Sequence, residues 1–389
     1  MHAALTVGFD MLPSPDSPAS DSSRADVRIE HALLVLCSRT NPDERPIRAL
    51  LEEGGIDWDY LVTIAGYHGT QALLYNALRR FDAALLSDEH MGWMQQKMGA
   101  RSAHSMVLTH ALGQLAALFE RERLRVLPVK GAVLALKVYG GVALRPFVDL
   151  DLLIRPEDFG QLEALLTSRG FGSREMGRLQ KASYLFIHRQ YTFWGRLSDL
   201  GRASVYFDVH TAVMPPGYSY SESFEALWDR ARPLALGGAE VRTLAPEDLL
   251  LLLCYHGFKN RWDRLKYICD VAEVVRACPE IDWDVLLERA GAMRSRRVCG
   301  LGLYLASEVL DAPLPPGAPR DLAADAWVQR LGADLVRRLP QQPHMRVEPY
   351  LERVRLNVLG QDSVLGGLRY GAYALARRAS ELILPEEGT

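Results

Sequence analysis

Hydrophobic residues recur every three or four positions through the first third of the chain, a spacing typical of amphipathic helices. The pattern is clear in the segments that begin at Ala32, Leu50, Leu61, Leu73 and Met106. It predicts a helical N-terminal domain over residues 26–119. Residues 1–25 are rich in Pro, Ser and Asp and offer little to bury, so we interpret them as a disordered leader.

The spacing changes near residue 120, where short apolar runs separated by turns replace the helical period. β-Branched and aromatic residues are enriched in these runs, as in strands. The pattern predicts strands over 126–130, 147–154, 184–194 and 203–210, and helices over 131–139 and 156–168. A mixed sheet with flanking helices is therefore expected over residues 120–244.

Helical spacing returns after a predicted hairpin at Gly237-Gly238. Pro246 followed by two acids suits a helix start, because proline lacks an N–H there and acids complement the helix dipole. A second helix over 263–278 and further helices to about residue 383, broken by prolines at 313–317 and 340–343, predict a helical C-terminal domain over 245–389. The expected fold class is α+β, with a central mixed β-sheet between two helical domains.

Composition narrows the functional classes. With 389 residues and 48% hydrophobic content, the chain has the composition of a globular protein of two or three domains. A net charge of −3 gives no overall attraction to nucleic acid, so polynucleotide substrates rank low. Five cysteines without a Cys-x-x-Cys pair fit a reducing cytoplasm. Neither a membrane span nor a signal peptide is expected.

Two carboxylates provide the main chemical signal. Asp149 and Asp151 lie two residues apart inside the predicted strand 147–154, so both are expected on one face of it. Paired carboxylates on a buried strand repel each other and resist desolvation. A hard cation with oxygen ligands, most simply Mg²⁺, would neutralise them. Asp208 on the later strand 203–210 adds a third acid.

Lys130-Gly131 is a candidate phosphate site. It is expected where a strand turns into a helix, so backbone N–H groups, a glycine that permits close approach and a lysine charge converge there. Many such turns bind nothing, and Asp-x-Asp alone is common. The Lys-Gly pair and the Asp-x-Asp pair occur 18 residues apart and are followed by Asp208. This combination favours a metal-dependent nucleotide site.

These residues resemble a known family, the bacterial nucleotidyltransferase-like proteins related to the DNA polymerase β superfamily. The resemblance covers about residues 124–290 and is to a divergent branch with Lys-Gly in place of the usual Gly-Ser. The matching residues are Lys130-Gly131, Arg145-Pro146, Asp149 with Asp151, Asp208 with His210, and Pro246-Glu-Asp248 with His256 and Asp270. The central sheet is accordingly expected to be a nucleotidyltransferase core.

The resemblance implies a transfer of NMP from an NTP such as ATP to a hydroxyl, with release of pyrophosphate. It implies two Mg²⁺ ions held by Asp149 and Asp151, with Asp208 binding the ion that activates the acceptor hydroxyl. Lys130 and the Gly131 amide would hold the β/γ-phosphates. For Arg145 there are two alternatives, a contact to the triphosphate or bracing of the turn.

Several alternatives remain open from the sequence. The acceptor is expected to be a small molecule or a peptide or protein, but neither its identity nor the base is predicted. A non-catalytic nucleotide-sensing or partner-binding protein, or a structural module whose acids are neutralised by Arg or Lys, would retain the same fold. His210 either orients an acid, meets substrate or packs in the core, and His256 has the same alternatives. The 259–267 segment offers cations and aromatic faces that could stack a base or a substrate ring, or Trp262 packs within the fold.

Overall fold

The computed structural model of the chain describes residues 28–196, 204–220, 222–236, 239–339, 354 and 357–383. The predicted leader, the Gly237-Gly238 turn and the break at 340–343 lie outside these residues. Within the described ranges, no helix is long and apolar enough to cross a membrane.

Helices precede and follow the sheet and also connect its strands. They are α1 Ile29–Cys37, α2 Glu44–Glu53, α3 Trp58–His68, α4 Gln71–Leu78, α5 Asp88–Arg121, α6 Ala132–Lys137, α7 Phe159–Ser168, α8 Arg178–His188, α9 Phe224–Arg230, α10 Pro246–Lys259, α11 Leu265–Ala277, α12 Trp283–Ala292, α13 Arg296–Leu310, α14 Ala318–Ala323, α15 Ala326–Arg338 and α16 Val364–Ile383.

Polar side chains mark the starts of several helices. Asp43, Asp57 and Ser87 each accept a hydrogen bond from a backbone N–H in the first turn of α2, α3 and α5. Such caps satisfy N–H groups that have no partner within the helix. Pro246 opens α10, as the sequence predicted.

Five strands form the central sheet in the order β1-β2-β5-β4-β3. The strands are β1 Leu127–Pro128, β2 Leu150–Leu153, β3 Gly172–Ser173, β4 Gln190–Arg196 and β5 Ser204–His210. Only the β2–β5 pair is parallel, and the other pairs are antiparallel, so the predicted mixed sheet is confirmed. A separate hairpin joins β6 Arg232–Leu236 to β7 Ala239–Thr243.

The two faces of the sheet differ in chemistry. One face is apolar and packs on α5 and α7 in a core that contains Leu152, Phe193, Phe207 and Val209. Because side chains alternate along a strand, the neighbouring residues point to the opposite face. That face carries Asp151, Asp208, His210, Thr192 and Gln190. The alternation of strand side chains therefore gathers the polar residues on one side of the sheet.

A second core joins helices from both ends of the chain. Buried residues of α1, α3 and α4 form one cluster with those of α10, α11 and α13. His68 at the end of α3 belongs to this junction, because its Nδ1 accepts a hydrogen bond from the Leu265 N–H at the start of α11, at 3.1 Å. The division of the chain into domains at residues 119 and 244 stays a prediction.

The strand predicted over residues 184–194 was placed too early in the chain. Residues 184–188 form the last turn of α8, and β4 begins only at Gln190. The apolar run Tyr184-Leu-Phe-Ile does not distinguish a helix from a strand, and local contacts settle the outcome. Tyr184 stacks on His188 one turn later, with ring centroids 4.2 Å apart, and Arg189 ends the helix with a positive φ of 55°.

The strand predicted over 147–154 was too long. It is limited to Leu150–Leu153, and Asp149 lies in the bend before it. The Phe147 backbone forms hydrogen bonds with a side chain and not with a neighbouring strand. The Ser105 hydroxyl of α5 accepts from the Phe147 N–H and donates to the Phe147 carbonyl oxygen, each at 2.9 Å. The expectation that both acids of Asp-x-Asp lie within one strand was therefore wrong.

His68 should make the protein sensitive to acid. Burial lowers the pKa of His68 from 6.5 to about 4. The unfolded chain binds this proton first as the pH falls, so stability present above pH 6.5 is lost towards pH 4. Between pH 7 and pH 5 we expect His68 to account for about 2 kcal/mol of lost unfolding free energy.

Denaturant unfolding at both pH values would measure this loss. His68→Asn retains an acceptor for the Leu265 N–H but cannot be protonated, and it should lose about 2 kcal/mol less than the wild type. His110→Asn, at an exposed position of α5, is the matched control and should behave as the wild type. Equal losses in all three proteins would contradict the assignment.

Candidate active site

Two aspartates lie side by side on the polar face of the sheet. Asp151 of β2 and Asp208 of β5 are directly opposite each other in the parallel pair. His210 follows Asp208 by two residues and so lies on the same face. One ligand atom from each of Asp151, Asp208 and His210 lies within 4.8 Å of the others, a group that could hold a metal ion.

Asp151 is buried and held by two nitrogen donors. Lys130 Nζ lies 3.0 Å from its Oδ1, and His210 Nε2 donates to the same oxygen at 2.9 Å. Although burial favours the neutral acid, the charge of Lys130 and the bond from His210 hold the pKa of Asp151 well below its usual value. Asp151 is therefore ionised, and His210 orients an acid, which was one of its three predicted roles.

Asp208 is held by the neighbouring strand. Gln190 Nε2 donates to one carboxylate oxygen and Thr192 Oγ1 to the other, both at 2.6 Å. Both donors are on β4, which pairs with β5 so that Thr192 lies opposite Asp208 and Gln190 opposite His210. These bonds fix the orientation of the carboxylate.

Asp149 lies in the bend just before β2, outside the strand that carries Asp151. Burial, followed by the charges of Asp151 and Asp208, raises its pKa. The charges of Asp151 and Asp208 therefore act on Asp149. Asp149 is nevertheless not one of the three residues whose ligand atoms lie within 4.8 Å of one another. The sequence paired Asp149 with Asp151, whereas the structure brings Asp151 together with Asp208 and His210.

The residues fit a hard divalent cation. Three carboxylates converge on this part of the sheet, and Lys130 is the cation in ion-pair contact with one of them. Burial and, after it, the charges of Asp151 and Asp208 raise the pKa of Asp149, and a cation bound by carboxylate oxygens would offset the repulsion among the three acids. Magnesium and calcium favour such oxygen ligands.

Gly131 allows the turn after β1 to pack against the acidic segment. Its φ of 56° lies in the left-handed region that favours glycine. A side-chain carbon at this position would lie 3.1 Å from the Asp149 carbonyl oxygen and 3.4 Å from the Phe147 ring. The Lys130-Gly131 pair therefore brings the turn close to Asp149 and sets the Lys130 ammonium on Asp151.

Arg145 braces the segment that leads into β2. Its guanidinium makes two hydrogen bonds to Asp270 of α11, at 2.7 and 2.8 Å, and the Tyr139 hydroxyl donates to the same carboxylate. Of the two alternatives for Arg145, the structure shows the bracing contact. Another motif acid is used in the same way, because Asp248 of α10 pairs with Arg230 and Arg289.

A cleft of about 510 Å³, here called the first cleft, opens beside the acids. Its lining residues are Val129, Lys130, Leu153, His188, Gln190, His210, Ala212, Val213, Met214, Pro215, Leu252, His256 and Lys259. Burial, followed by the charge of Lys130, lowers the pKa of His256, so this imidazole is neutral. Burial also lowers the pKa of Lys259, to about 8, with further contributions from the Lys130 and Arg377 charges.

Sequence reasoning missed Gln190 and Thr192. The two β4 residues become visible only when the β4–β5 register is known, since their side chains are ordinary for a strand. Lys259 was considered as a cation in a loop that could meet a base or a substrate ring, but not as a residue that lines a cleft. Its position at the end of an otherwise apolar helix, Leu249 to Phe258, was a signal that this charge faces something other than the core.

The model of a family described as uncharacterised nucleotidyltransferase matches residues 54–311. A comparison with curated proteins gave no match. Among solved structures, the solution structure of the antibiotic-resistance factor ANT(2'')-Ia is similar, with 17% sequence identity over 50% of this chain and 94% of that chain and a TM-score of 0.33.

Replacement of Arg145 should destabilise the protein strongly. Arg145→Met leaves the buried Asp270 carboxylate without its ion partner, which is expected to cost about 3–5 kcal/mol. Calorimetry should show a melting temperature lower by several degrees. Arg337→Met, which removes an exposed ion pair with Asp334, should cost at most about 1 kcal/mol. Equal shifts for the two variants would contradict a bracing role.

Proposed function

The chain belongs to the family of uncharacterised nucleotidyltransferases, and we propose that it transfers NMP from an NTP to a hydroxyl group with release of pyrophosphate. The acceptor is a small molecule or a peptide or protein. The single observation that carries this proposal is the side-by-side placement of Asp151 and Asp208 in the parallel β2–β5 pair.

In this proposal Asp149, Asp151 and Asp208 hold divalent cations, most simply two Mg²⁺ ions. Such ions, when bound, stabilise the attacking and leaving oxygens of a displacement at phosphorus and lower the pKa of a bound hydroxyl. The three acids are the catalytic residues that we assign. Carboxylates whose orientation is fixed in advance need little reorganisation to bind a cation, and this is the role of the donors around Asp151 and Asp208.

The surrounding residues position these acids. His210 orients Asp151, while Gln190 and Thr192 orient Asp208 through one hydrogen bond to each carboxylate oxygen. Hydrogen bonds of this kind to metal ligands fix the geometry of a site. We assign Lys130, with the Gly131 N–H, to the β/γ-phosphates, since its ammonium lies beside Asp151 and lines the first cleft.

We assign Arg145 a positioning role in place of the triphosphate contact. The Nε and Nη2 nitrogens of Arg145 each donate a hydrogen bond to the Asp270 carboxylate. Through this pair and the Ser105 clamp on Phe147, the segment that carries Asp149 is tied to α11 and α5.

The contact between Lys130 and Asp151 favours a second candidate function. The Lys130 ammonium lies 3.0 Å from the Asp151 carboxylate and neutralises this acid without a metal ion. A non-catalytic nucleotide-sensing or partner-binding protein would use the same cleft and need no turnover. The two candidates agree on nucleotide binding and differ on the release of pyrophosphate.

Loss of the paired acids should abolish transfer. Pyrophosphate release from NTPs with Mg²⁺ is measured over a panel of hydroxyl acceptors. Asp151→Asn and Asp208→Asn retain the shape of each side chain, and each should lower kcat/KM by roughly a hundredfold or more, because metal ions contribute several kcal/mol to such transition states. Asp334→Asn, on α15, where the carboxylate pairs with Arg337 and Arg338 and lines neither cleft, should have wild-type activity.

Nucleotide binding without turnover by the wild-type protein would favour the sensing function instead. Turnover that is unchanged in both Asp151→Asn and Asp208→Asn would exclude these acids as catalytic residues.

Mg²⁺ should raise the melting temperature of the protein. A ligand that binds only the folded state stabilises it by about 2.7 kcal/mol at one hundred times its Kd. The Asp151→Asn Asp208→Asn double variant should show no such rise, while Asp334→Asn should show the full rise. An absence of any rise in the wild type would favour a structural role in which Lys130 alone balances the acids.

A further inference from the structure

Lys259 lies where two clefts meet. It is the last residue of α10 and lines the first cleft together with Lys130 and His210. It also lines a second cleft of about 560 Å³, whose other lining residues are Tyr218, Asn260, Val354, Tyr370, Tyr373, Ala374 and Arg377. One ammonium group is thus available to both spaces.

The Lys259 ammonium has no carboxylate partner among the described residues. Three other partly buried cations have carboxylate partners, since Lys130 pairs with Asp151, Arg145 with Asp270 and Arg230 with Asp248. A cation removed from water without a partner is unfavourable, and for this reason burial lowers the pKa of Lys259. A bound anion would supply the missing negative charge.

The second cleft has the chemistry of an anion site. Among the described residues its lining includes the cations Lys259 and Arg377, the Asn260 amide, which also donates to the His256 carbonyl oxygen, and the tyrosines of α16, with no carboxylate in that set. Guanidinium and ammonium groups with amide and hydroxyl donors are the groups that bind phosphate in proteins. The charge on this cleft therefore favours an oxyanion and disfavours a cationic ligand.

The second cleft is also electrostatically linked to the acids of the candidate active site. The charges that act on Lys259 come from Lys130 and Arg377, which lower its pKa, and from Asp151 and Asp208, which raise it. The Lys259 ammonium is therefore within electrostatic range of both the active-site acids and Arg377.

We propose that Lys259 and Arg377 form an oxyanion site in the second cleft that binds a phosphate group of a substrate of the proposed transfer reaction. The proposal rests on the proposed function for the identity of that substrate. The phosphate has two sources, which are the β/γ-phosphates of the NTP and a phosphate group carried by the acceptor. Either phosphate would bind to the Lys259 ammonium through its oxygens.

Binding of inorganic pyrophosphate to the full chain tests the site without turnover. Titration calorimetry in metal-free buffer compares the wild type with Lys259→Met, which keeps the length of the side chain and removes the charge. We expect Lys259→Met to bind pyrophosphate on the order of 10- to 100-fold more weakly, as for the loss of a charged hydrogen bond. Lys259→Arg should bind within a few-fold of the wild type.

Lys97→Met is the matched control, since it removes the same charge from an exposed position on α5. It should bind pyrophosphate as the wild type does. The melting temperature of Lys259→Met should equal or exceed that of the wild type, because an unpaired buried charge is removed. A marked fall in melting temperature, or unchanged pyrophosphate affinity, would overturn the proposal.

A second titration distinguishes the two sources. A non-hydrolysable NTP analogue is added with Mg²⁺ to the wild type and to Lys259→Met. A parallel loss of affinity for the analogue and for pyrophosphate assigns the site to the NTP. A loss for pyrophosphate alone assigns it to a phosphorylated acceptor.

Failure of this proposal can be told apart from failure of the proposed function. If the wild type releases pyrophosphate from NTPs while Lys259→Met binds pyrophosphate normally, the transferase function stands and the oxyanion site does not. If pyrophosphate binding depends on Lys259 but no NTP is turned over, the site stands in a protein that binds without transferring.

Discussion

The repulsion between Asp151 and Asp208 is the constraint around which this site is built. Like charges at opposed positions on neighbouring strands destabilise a sheet, yet these two carboxylates face each other in the parallel β2–β5 pair. The strand order resolves the conflict, because β1 and β4 flank this pair. Lys130 follows β1 and contacts one acid, and β4 supplies two donors to the other. The sheet thus brings a cation to one side of the acids and neutral donors to the other.

The acidic segment is fixed by tertiary contacts as well. Between α6 and β2 the chain has no regular structure, but its ends and middle are bound to other elements. Ser105 of α5 holds the Phe147 backbone, and Arg145 binds Asp270 of α11. Gly131 permits the preceding turn to approach the Asp149 carbonyl oxygen. A loop held at three points can present a side chain with little loss of entropy at the moment of binding.

Local patterns were sufficient to predict some of these features and not others. Alternation of apolar and polar residues over Ser204–His210 correctly predicted a strand with Asp208 and His210 on one face. The same rule placed Asp149 within a strand, but the Ser105 clamp uses the Phe147 backbone and shortens β2. Such a contact joins residues 42 positions apart, so no local pattern reveals it.

The partners of charged side chains were equally hidden from the sequence. Arg145 lies close to the Asp-x-Asp in the chain, which suggested a phosphate contact, but its partner is Asp270, 125 residues later. The role of His210 depends on the register of β2 against β5, which sets its imidazole beside Asp151. Lys259 could be interpreted only when the clefts on either side of α10 were known.

Local charge, and not the net charge of −3, decides which ligands the clefts favour. The acids lie on the sheet, while Lys259 and Arg377 lie on α10 and α16. A substrate that bridges metal and phosphate sites requires these elements to keep a fixed relation. Asp248 on α10 binds Arg230 of α9 and Arg289 of α12, and Asp270 on α11 binds Arg145 beside the sheet. These ion pairs tie α10 to α9 and α12, and α11 to the segment that carries Asp149, and so fix the helix that carries Lys259 and the loop that carries an acid.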